Sequence, residues 1–458
     1  MGGQESEPPV QKKLLSGLFW VLLANLLVKP LWLLGIEVDV QNAVGNEAYG
    51  FYFAVFNLSY ILNILLDLGI TNFNTRNIAQ HPQLISKHLS GILGIKLCLL
   101  GLYVVVTFTV GALLGYGSQE FRLLAWLCLA QALNSLILYL RSNFEGLLLF
   151  RWDSLFSVLD RVLMIVICGC LLWGPRLSVF EFRFTVFSFV YAQVAAYVLT
   201  AVLALAVIGR KTHLRGLRFD WRFLLVILKQ SAPFALLVLL MASYNRLDPI
   251  LLRRLASDAA AGVYAGAFRL LDALTMVCYL VSVPLLPVFS KIFADRDVAA
   301  SRASLTDAVR LVFWPMMLFA VGSAVACALL ADPLMHLLYH DGAAPYVPVF
   351  RVLIFCLVPL GLTYIFGTLL TAGGRLRQLN LLAAITLGLN VVANLLLIPQ
   401  MGAVGSAWAA VAAQSFMAAA QLVLAARLYR LPAVTFLPLS PHNIYSIVSL
   451  MFKSNPKE

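Results

Sequence analysis

Charge is scarce in this sequence: only 12% of its 458 residues are Asp, Glu, Lys or Arg, whereas 61% are hydrophobic. A water-soluble domain needs a charged surface, and about a quarter of its residues usually carry a charge. The mean hydropathy of +0.89 is instead typical of a chain that lies largely within a lipid bilayer. The composition therefore excludes a soluble globular protein and predicts a polytopic membrane protein.

The spacings of metal sites and catalytic sites are also missing. All seven cysteines lie within apolar segments, and Cys168 and Cys170 have neither zinc-ligand spacing nor a neighbouring histidine. The six histidines lie in loops or at helix ends with no nucleophile beside them, and the sequence contains no P-loop. We therefore expect no catalytic residue, no metal site and no cofactor.

Long apolar runs dominate the sequence instead. A helix needs about 20 apolar residues to cross a bilayer, and the loops between such runs are too short for a soluble catalytic domain. Twelve runs qualify: 14–36, 48–69, 89–115, 121–147, 155–173, 183–208, 224–250, 259–290, 306–331, 348–372, 378–399 and 402–428. The predicted fold class is an all-α polytopic membrane protein with about 12 transmembrane helices.

Lys and Arg are unevenly distributed between the two sets of loops. One set carries most of them, including the cluster between helices six and seven formed by Arg210, Lys211, Arg215, Arg218 and Arg222. Loops rich in Lys and Arg remain in the cytoplasm, so both termini are predicted to be cytoplasmic. The net charge of +12 is thereby explained by membrane topology, and we expect no nucleic-acid partner.

The basic linker at 209–223 divides the helices into two sets of six. We predict a cytoplasmic tail over 1–13, a first six-helix lobe over 14–208 and a second over 224–430. Prolines interrupt the tail at 431–458, which we interpret as an interfacial segment rather than a further span.

A repeated pattern supports this division into two lobes. The pattern Gly-x-Tyr-x-x-x-Phe in helix two recurs 212 residues later in helix eight; its residues are Gly50, Tyr52, Phe56 and Gly262, Tyr264, Phe268. Since six is an even number, both lobes enter the membrane in the same sense, related by an axis along its normal, with a central cavity. The repeated rings are interpreted as packing residues, with sugar stacking as the alternative.

Charged residues occur in the apolar parts of several helices, where a charge is costly and usually faces a cavity or a partner. Arg246 and Asp248 end predicted helix seven, and Arg269 and Asp272 lie one turn apart in helix eight. These four residues form either an Arg–Asp pair that links the two helices or a polar wall of a transport cavity.

The first half of the chain has intramembrane charges of its own. Lys29 lies near the middle of helix one, and the following Pro30 is expected to disturb the helical hydrogen bonds. Arg141 and Glu145 lie four residues apart in helix four, as an ion pair or as site residues. Three amides of the second half are interpreted either as cation ligands or as links between helices: Asn390, Asn394 and Gln414.

Three stretches together resemble one family of membrane proteins. They are VGNEAYGFYFAVFNLSYILNILLDLGITNFNTRNIA (44–79), SAPFALLVLLMASYNRLDPILL (231–252) with GVYAGAFRLLDAL (262–274), and LLIPQMGAVGSAWAA (396–410). In this order they resemble the Wzx-type flippases of the multidrug/oligosaccharidyl-lipid/polysaccharide exporter superfamily. Many members have fourteen helices, so a chain of twelve departs from that pattern and is less similar to the lipid II flippases.

The resemblance implies two lobes that move an undecaprenyl-diphosphate-linked oligosaccharide across a bacterial inner membrane, alongside polysaccharide polymerase machinery. Basic side chains within the membrane would hold the diphosphate. We assign the central clamp to Lys29 and Arg269, whose depths agree at about 1.5 Å of rise per residue, with Arg246 and Arg141 as outer and inner contacts. Coupling to protons or cations is assigned to three carboxylates: Asp272, Asp248 and Glu145.

Two other functional classes remain open. A cation-coupled multidrug exporter belongs to the same superfamily, but its cationic substrates favour an acidic cavity, whereas the deepest charges here, Lys29 and Arg269, are basic. A membrane polysaccharide polymerase or ligase would need a sizeable external loop with catalytic polar residues, and the predicted external loops are short.

Overall fold

The computed structural model describes residues 25, 27–71, 74–75, 78, 85–147, 149–176, 182–210, 221–294, 298–339 and 342–432. Helices are the only regular secondary structure within these ranges, which confirms the predicted all-α class. The predicted tail over 1–13, most of the linker over 209–223 and nearly all of the tail over 431–458 lie outside them.

The chain divides into two compact units, Met1–Ala242 and Ser243–Glu458. Helices of the first unit are α1 (Glu37–Val44), α2 (Asn46–Ile61), α3 (Ile85–Leu113), α4 (Ser118–Gly146), α5 (Phe150–Phe156), α6 (Leu159–Arg176), α7 (Val186–Gly209) and most of α8 (Trp221–Arg246). Those of the second are α9 (Asp248–Leu255), α10 (Asp258–Ser282), α11 (Leu285–Ala294), α12 (Val298–Leu329), α13 (Ala331–Leu338), α14 (Tyr346–Leu353), α15 (Leu357–Ala372) and α16 (Leu376–Tyr429). The domain ranges predicted from the sequence stay predictions.

Nine described helices are long and apolar enough to cross a membrane, or ten if the bent pair Ala232–Arg246 and Asp248–Leu255 forms one span. This confirms a polytopic membrane protein. The predicted number of twelve stays a prediction, because most of helix one lies outside the described residues. Helix α16 has 54 residues, which at 1.5 Å per residue is about 80 Å, far more than the roughly 30 Å of a bilayer core.

Helix α16 is in fact a hairpin of two antiparallel arms. Its backbone leaves the helical conformation at Gly402, where φ is 56° and ψ is −131°, a region that a residue without a Cβ adopts readily. Contacts on either side run in opposite directions along the two arms: Leu397 with Gly405, Asn394 with Ser406, and Thr386 with Met417. Each arm is long enough to span the membrane by itself.

Pro30 lies within the first described helical turns of the chain. Residues 27–31 are helical, the backbone then widens into a π-helical turn over Trp32–Ile36, and α1 follows at Glu37. The ring of Trp32 stacks on Phe189 of α7 with 5.9 Å between centroids, which fixes this turn within the first unit. The disturbed hydrogen bonding expected beside Lys29 therefore lies just C-terminal to it.

Both copies of the repeated motif form the same ring contact. Tyr52 stacks on Phe56 in α2 with 5.7 Å between centroids, and Tyr264 stacks on Phe268 in α10 at 6.2 Å. Rings four residues apart share one helix face. Both tyrosines are buried, so each has a packing role in its own unit.

We expect Gly405→Ala to destabilise the protein. A Cβ at this position would meet the backbone carbonyl oxygen of Leu397, so the two arms of α16 would have to separate. Overpacking of this kind costs about 1–3 kcal/mol and should lower the thermal unfolding temperature of the detergent-solubilised protein. The control is Gly388→Ala in the same helix, where nothing lies within 4 Å of an added Cβ. Equal unfolding temperatures for both variants would contradict this account of the hairpin.

Candidate functional site

Asp248 begins the first short helix of the second unit. The chain bends by 43° between the end of α8 at Arg246 and the start of α9, where Pro249 follows Asp248. An acidic residue and a proline are typical of a helix start, since proline lacks the N–H that would have no helical partner there. The Asp248 side chain is only 2% exposed. It is therefore buried among the helices of the second unit.

Three neutral side chains donate hydrogen bonds to the Asp248 carboxylate. The Tyr264 hydroxyl of α10 donates to Oδ2 at 2.8 Å. Asn390 and Asn394 of α16 donate from Nδ2 to Oδ1 at 3.0 and 2.8 Å. The two asparagines are one turn apart on the same helix face, and both are fully buried. One carboxylate thus joins α9, α10 and α16.

The second arm of α16 completes this arrangement. Ser406 is buried, and its hydroxyl donates to Oδ1 of Asn394 at 2.8 Å. The close approach of the arms at Gly405 makes this bond possible. We call these five residues the Asp248 cluster: Asp248, Tyr264, Asn390, Asn394 and Ser406.

The Asp248 cluster has the chemistry of a small-cation or proton site. Within the described ranges, no cationic side chain forms an ion pair with Asp248, although a buried carboxylate is costly without an opposite charge. The buried Oδ1 of Asn390 also lacks a hydrogen-bond donor among the described residues. Carboxylate and amide oxygens are ligands that hard cations prefer. Rotation of the two amides would turn their oxygens toward an ion beside Asp248.

Arg246 and Asp272 form an ion pair between α8 and α10. The Nη2 atom of Arg246 lies 3.7 Å from Oδ1 of Asp272, and the two side chains are 22% and 30% exposed. The guanidinium of Arg246 also lies over the Phe268 ring, 5.1 Å from its centroid. This pair is looser than the 2.7 Å bond between Arg141 and Asp153, whose side chains are less exposed. The pair links the two helices, as one of the two sequence interpretations stated.

The two residues of the predicted clamp lie in different units. Arg269 is 3% exposed in α10, and Lys29 is half-buried in the helical turns before the π-helical turn. Both form contacts within the protein. The shared role of Lys29 and Arg269 stays a prediction.

Arg141 and Glu145 do not form the i,i+4 ion pair that their spacing allowed. The Nε atom of Arg141 instead lies 2.7 Å from Oδ1 of Asp153 in α5. Glu145 accepts a hydrogen bond from the Thr75 hydroxyl at 3.2 Å. The turn between α4 and α5 brings Asp153 closer to Arg141 than Glu145 is within α4. A contact between two helices therefore replaces the ion pair that was expected within one helix.

Asp67 lies at the end of the helical segment that follows α2 and is the partner of a buried lysine. The Nζ atom of Lys96 donates to Oδ1 of Asp67 at 3.2 Å, to the Leu66 carbonyl at 3.2 Å and to the Ser135 hydroxyl at 2.8 Å. These bonds use the three donors of the ammonium group. Lys96 therefore donates hydrogen bonds to the carbonyl and carboxylate groups at the end of the helical segment that follows α2, which is a structural role.

Sequence reasoning missed part of the Asp248 cluster. Asn390 and Asn394 were interpreted either as cation ligands or as links between helices, and their spacing of four residues places them on one helix face. Tyr264 was interpreted as a packing residue, with sugar stacking as the alternative, and nothing in the sequence indicated Ser406. Gln414, the third amide considered, donates to Asn245 and not to the Asp248 cluster.

Comparison with known proteins gives a family and a fold. A family model described as polysaccharide biosynthesis protein matches residues 14–293. A multidrug resistance MATE family transporter of the MOP superfamily, inward-facing, is 14% identical with a TM-score of 0.65, covering 95% of this chain and 96% of that chain. The lipid II flippase MurJ, inward closed, is 13% identical with a TM-score of 0.64, covering 98% and 93%.

A third similar structure is a MOP superfamily transporter from Pyrococcus furiosus, described as having a binding pocket of reverse polarity. It is 16% identical with a TM-score of 0.62, covering 93% of this chain and 97% of that chain. No curated protein matches this chain in sequence. At these identities the structures show the fold, and the family match covers more than half of the 458 residues. Both findings confirm the resemblance seen in the three sequence motifs: the chain has the fold of MOP superfamily transporters and belongs to the polysaccharide biosynthesis protein family.

Proposed function

We propose that this chain is a flippase of the bacterial inner membrane. It moves undecaprenyl-diphosphate-linked oligosaccharide from the cytoplasmic to the outer leaflet for polysaccharide biosynthesis, and it catalyses no covalent step. The family match carries this proposal, because it covers the first unit and the charged stretch through α10. The fold shared with a lipid II flippase and with multidrug transporters supports transport by alternating access.

The substrate chemistry explains why basic residues lie within the membrane. A sugar-diphosphate cannot cross hydrocarbon unaided, because each unpaired polar group costs several kcal/mol there. A guanidinium donates paired hydrogen bonds to a phosphate. Arg246 is suited to this exchange, since its present partner Asp272 is partly exposed and weakly held. The polyprenyl tail would meanwhile remain in lipid.

The central clamp remains assigned to Lys29 and Arg269, with Arg246 and Arg141 as outer and inner contacts. The irregular backbone beside Lys29 supports its part, because π-helical turns within helices often accompany functional sites. Arg269 directly follows Phe268 in α10, and the Phe268 ring contacts the guanidinium of Arg246. The two proposed arginine contacts are therefore associated with adjacent residues of α10. Arg141 contributes only if its bond to Asp153 opens.

Asp248 is the carboxylate whose contacts best support energy coupling. Asp272 already has an arginine partner. Glu145 lies in the first unit, where it accepts a hydrogen bond from Thr75. Asp248 is the most deeply buried. It accepts hydrogen bonds from two amides and one hydroxyl, groups that could instead present oxygens to a cation. Binding of sodium or a proton at Asp248 would change the contacts among α9, α10 and α16. Ion binding would thereby be linked to the conformation of the second unit.

A cation-coupled multidrug exporter is the second candidate, because a multidrug MATE transporter shares this fold. The Asp248 cluster would serve either function. The basic residues Arg246 and Arg269 argue against the multidrug exporter, since an arginine in a low-dielectric interior would repel a cationic drug.

We expect cells that lack this chain to accumulate lipid-linked oligosaccharide, because the substrate would be made but not moved. Lipid extracts of deletion cells and of cells complemented with the gene would be compared by mass spectrometry. Loss of drug resistance without any change in lipid-linked sugar would contradict the flippase proposal and favour the multidrug exporter.

We expect Lys29→Ala and Arg269→Ala each to lower the flipping rate about tenfold or more. Each change removes a charge-assisted hydrogen bond to phosphate, worth roughly 1.5–3 kcal/mol. Arg254→Ala, an exposed arginine at the end of α9, is the control and should transport normally. If both clamp variants are inserted normally and still complement the deletion, the clamp is wrong.

We expect Asp248→Asn to abolish the dependence of transport on an ion gradient, because an amide cannot bind a proton or hold a cation by charge. Transport into vesicles would be measured with and without sodium and pH gradients. Asp272→Asn is the matched variant, an ion-paired carboxylate of the same unit, and should keep the dependence. An unchanged dependence in Asp248→Asn would exclude this residue from coupling.

A further inference from the structure

Four exposed arginines lie at one end of the second unit. Arg375 and Arg377 stand at the start of α16, and Arg427 and Arg430 stand at its end. Because α16 is a hairpin, its first and last residues lie at the same end of the unit. We call these four residues the arginine cluster.

Ring and backbone contacts fix the arginine cluster in place. Tyr429 lies between Arg427 and Arg430 in sequence, and its hydroxyl contacts Gly373, two residues before Arg375. The Tyr429 ring also contacts Phe293 of α11 with 5.0 Å between centroids. Three elements therefore meet here, and α11 adds the exposed Lys291 nearby.

The backbone at Arg430 supports a role beyond packing. Arg430 closes α16 in the left-handed conformation, with φ of 49° and ψ of 48°. Glycine or asparagine is usual at such a helix end, and a residue with a Cβ costs about 1 kcal/mol more there. This conformation is therefore unusual for an exposed arginine at a helix end.

The surroundings of the arginine cluster are those of a membrane surface. No Asp or Glu occurs in 366–380 or in 422–432, so the two ends of α16 themselves carry only positive charges. Exposed apolar side chains follow immediately: Leu381, one turn from Arg377, is 62% exposed, and Leu428 is 38% exposed. Exposed apolar side chains next to exposed arginines are typical of the boundary between hydrocarbon and lipid headgroups.

We propose that the arginine cluster binds the phosphate of an anionic phospholipid in the adjacent leaflet. All four side chains are guanidinium groups, which bind phosphate oxygens through paired donors better than lysine does. A topology signal alone would require only positive charge, not arginines from two chain segments that meet where Tyr429 lies against Gly373. This lipid site is separate from the transported substrate and from the Asp248 cluster, and it stands whether or not the proposed function is correct.

Native mass spectrometry of the full-length protein in detergent tests the proposal. Phosphatidylglycerol and phosphatidylcholine with the same acyl chains would be added in parallel. We expect selective retention of phosphatidylglycerol, with an apparent affinity at least tenfold higher than for phosphatidylcholine. Replacing all four arginines by Gln should remove that preference, and raising the salt concentration should weaken it.

Two further variants separate lipid binding from folding and from overall charge. Arg430→Gly suits the left-handed backbone, so it should keep the unfolding temperature while it weakens phosphatidylglycerol retention. The charge-matched control replaces four exposed arginines outside the cluster: Arg122, Arg183, Arg254 and Arg351. This control should retain phosphatidylglycerol as the unaltered protein does.

Three results would overturn the proposal. The first is equal retention of both lipids by the unaltered protein. The second is equal loss of phosphatidylglycerol in the cluster variant and in the charge-matched control, which would indicate a general charge effect. The third is displacement of phosphatidylglycerol by undecaprenyl diphosphate at equal concentration, which would make the cluster a substrate contact.

Discussion

The close approach of the two arms of α16 is the constraint on which the second unit depends. Gly402 lets the chain reverse, and Gly405 lets the returning arm lie against the backbone of Leu397. Ser406 then reaches Asn394, and Asn394 reaches Asp248. Within a bilayer no water can substitute for a missing partner, so each link in this chain has to be supplied by protein. A single added methyl group at Gly405 would act on all of them.

Buried charge is handled differently at different places in the molecule. Lys96 and Arg141 have carboxylate partners at hydrogen-bond distance, Asp67 and Asp153. Such pairs offset part of the free-energy cost of removing a charge from water. Because each charge already has its partner, neither is available to bind an ion or a substrate. Asp248 is surrounded by neutral donors instead. The contrast separates charges that hold helices together from a charge that can take part in a transport cycle.

Arg246 stands between these two cases. Its pair with Asp272 is longer than that of Arg141 with Asp153, and both of its side chains are more exposed. The face of Phe268 adds a second contact to the guanidinium beside its carboxylate partner. The proposed substrate contact at Arg246 requires such intermediate strength, because a substrate bound too tightly cannot be released.

The sequence by itself determined that this is an all-α membrane protein, because the length and apolarity of a spanning helix are local properties and its backbone hydrogen bonds stay within the segment. The sequence also carried the family motifs, including Asp248 with Pro249 and the glycines of α16. The partners of the charges were decided by tertiary structure. Asn390 and Asn394 lie 142 and 146 residues from Asp248 in sequence. Arg141 pairs with Asp153 and not with Glu145, which is nearer in sequence. Spacing along one helix shows which side chains share a face, but only the packing of helices shows what that face meets.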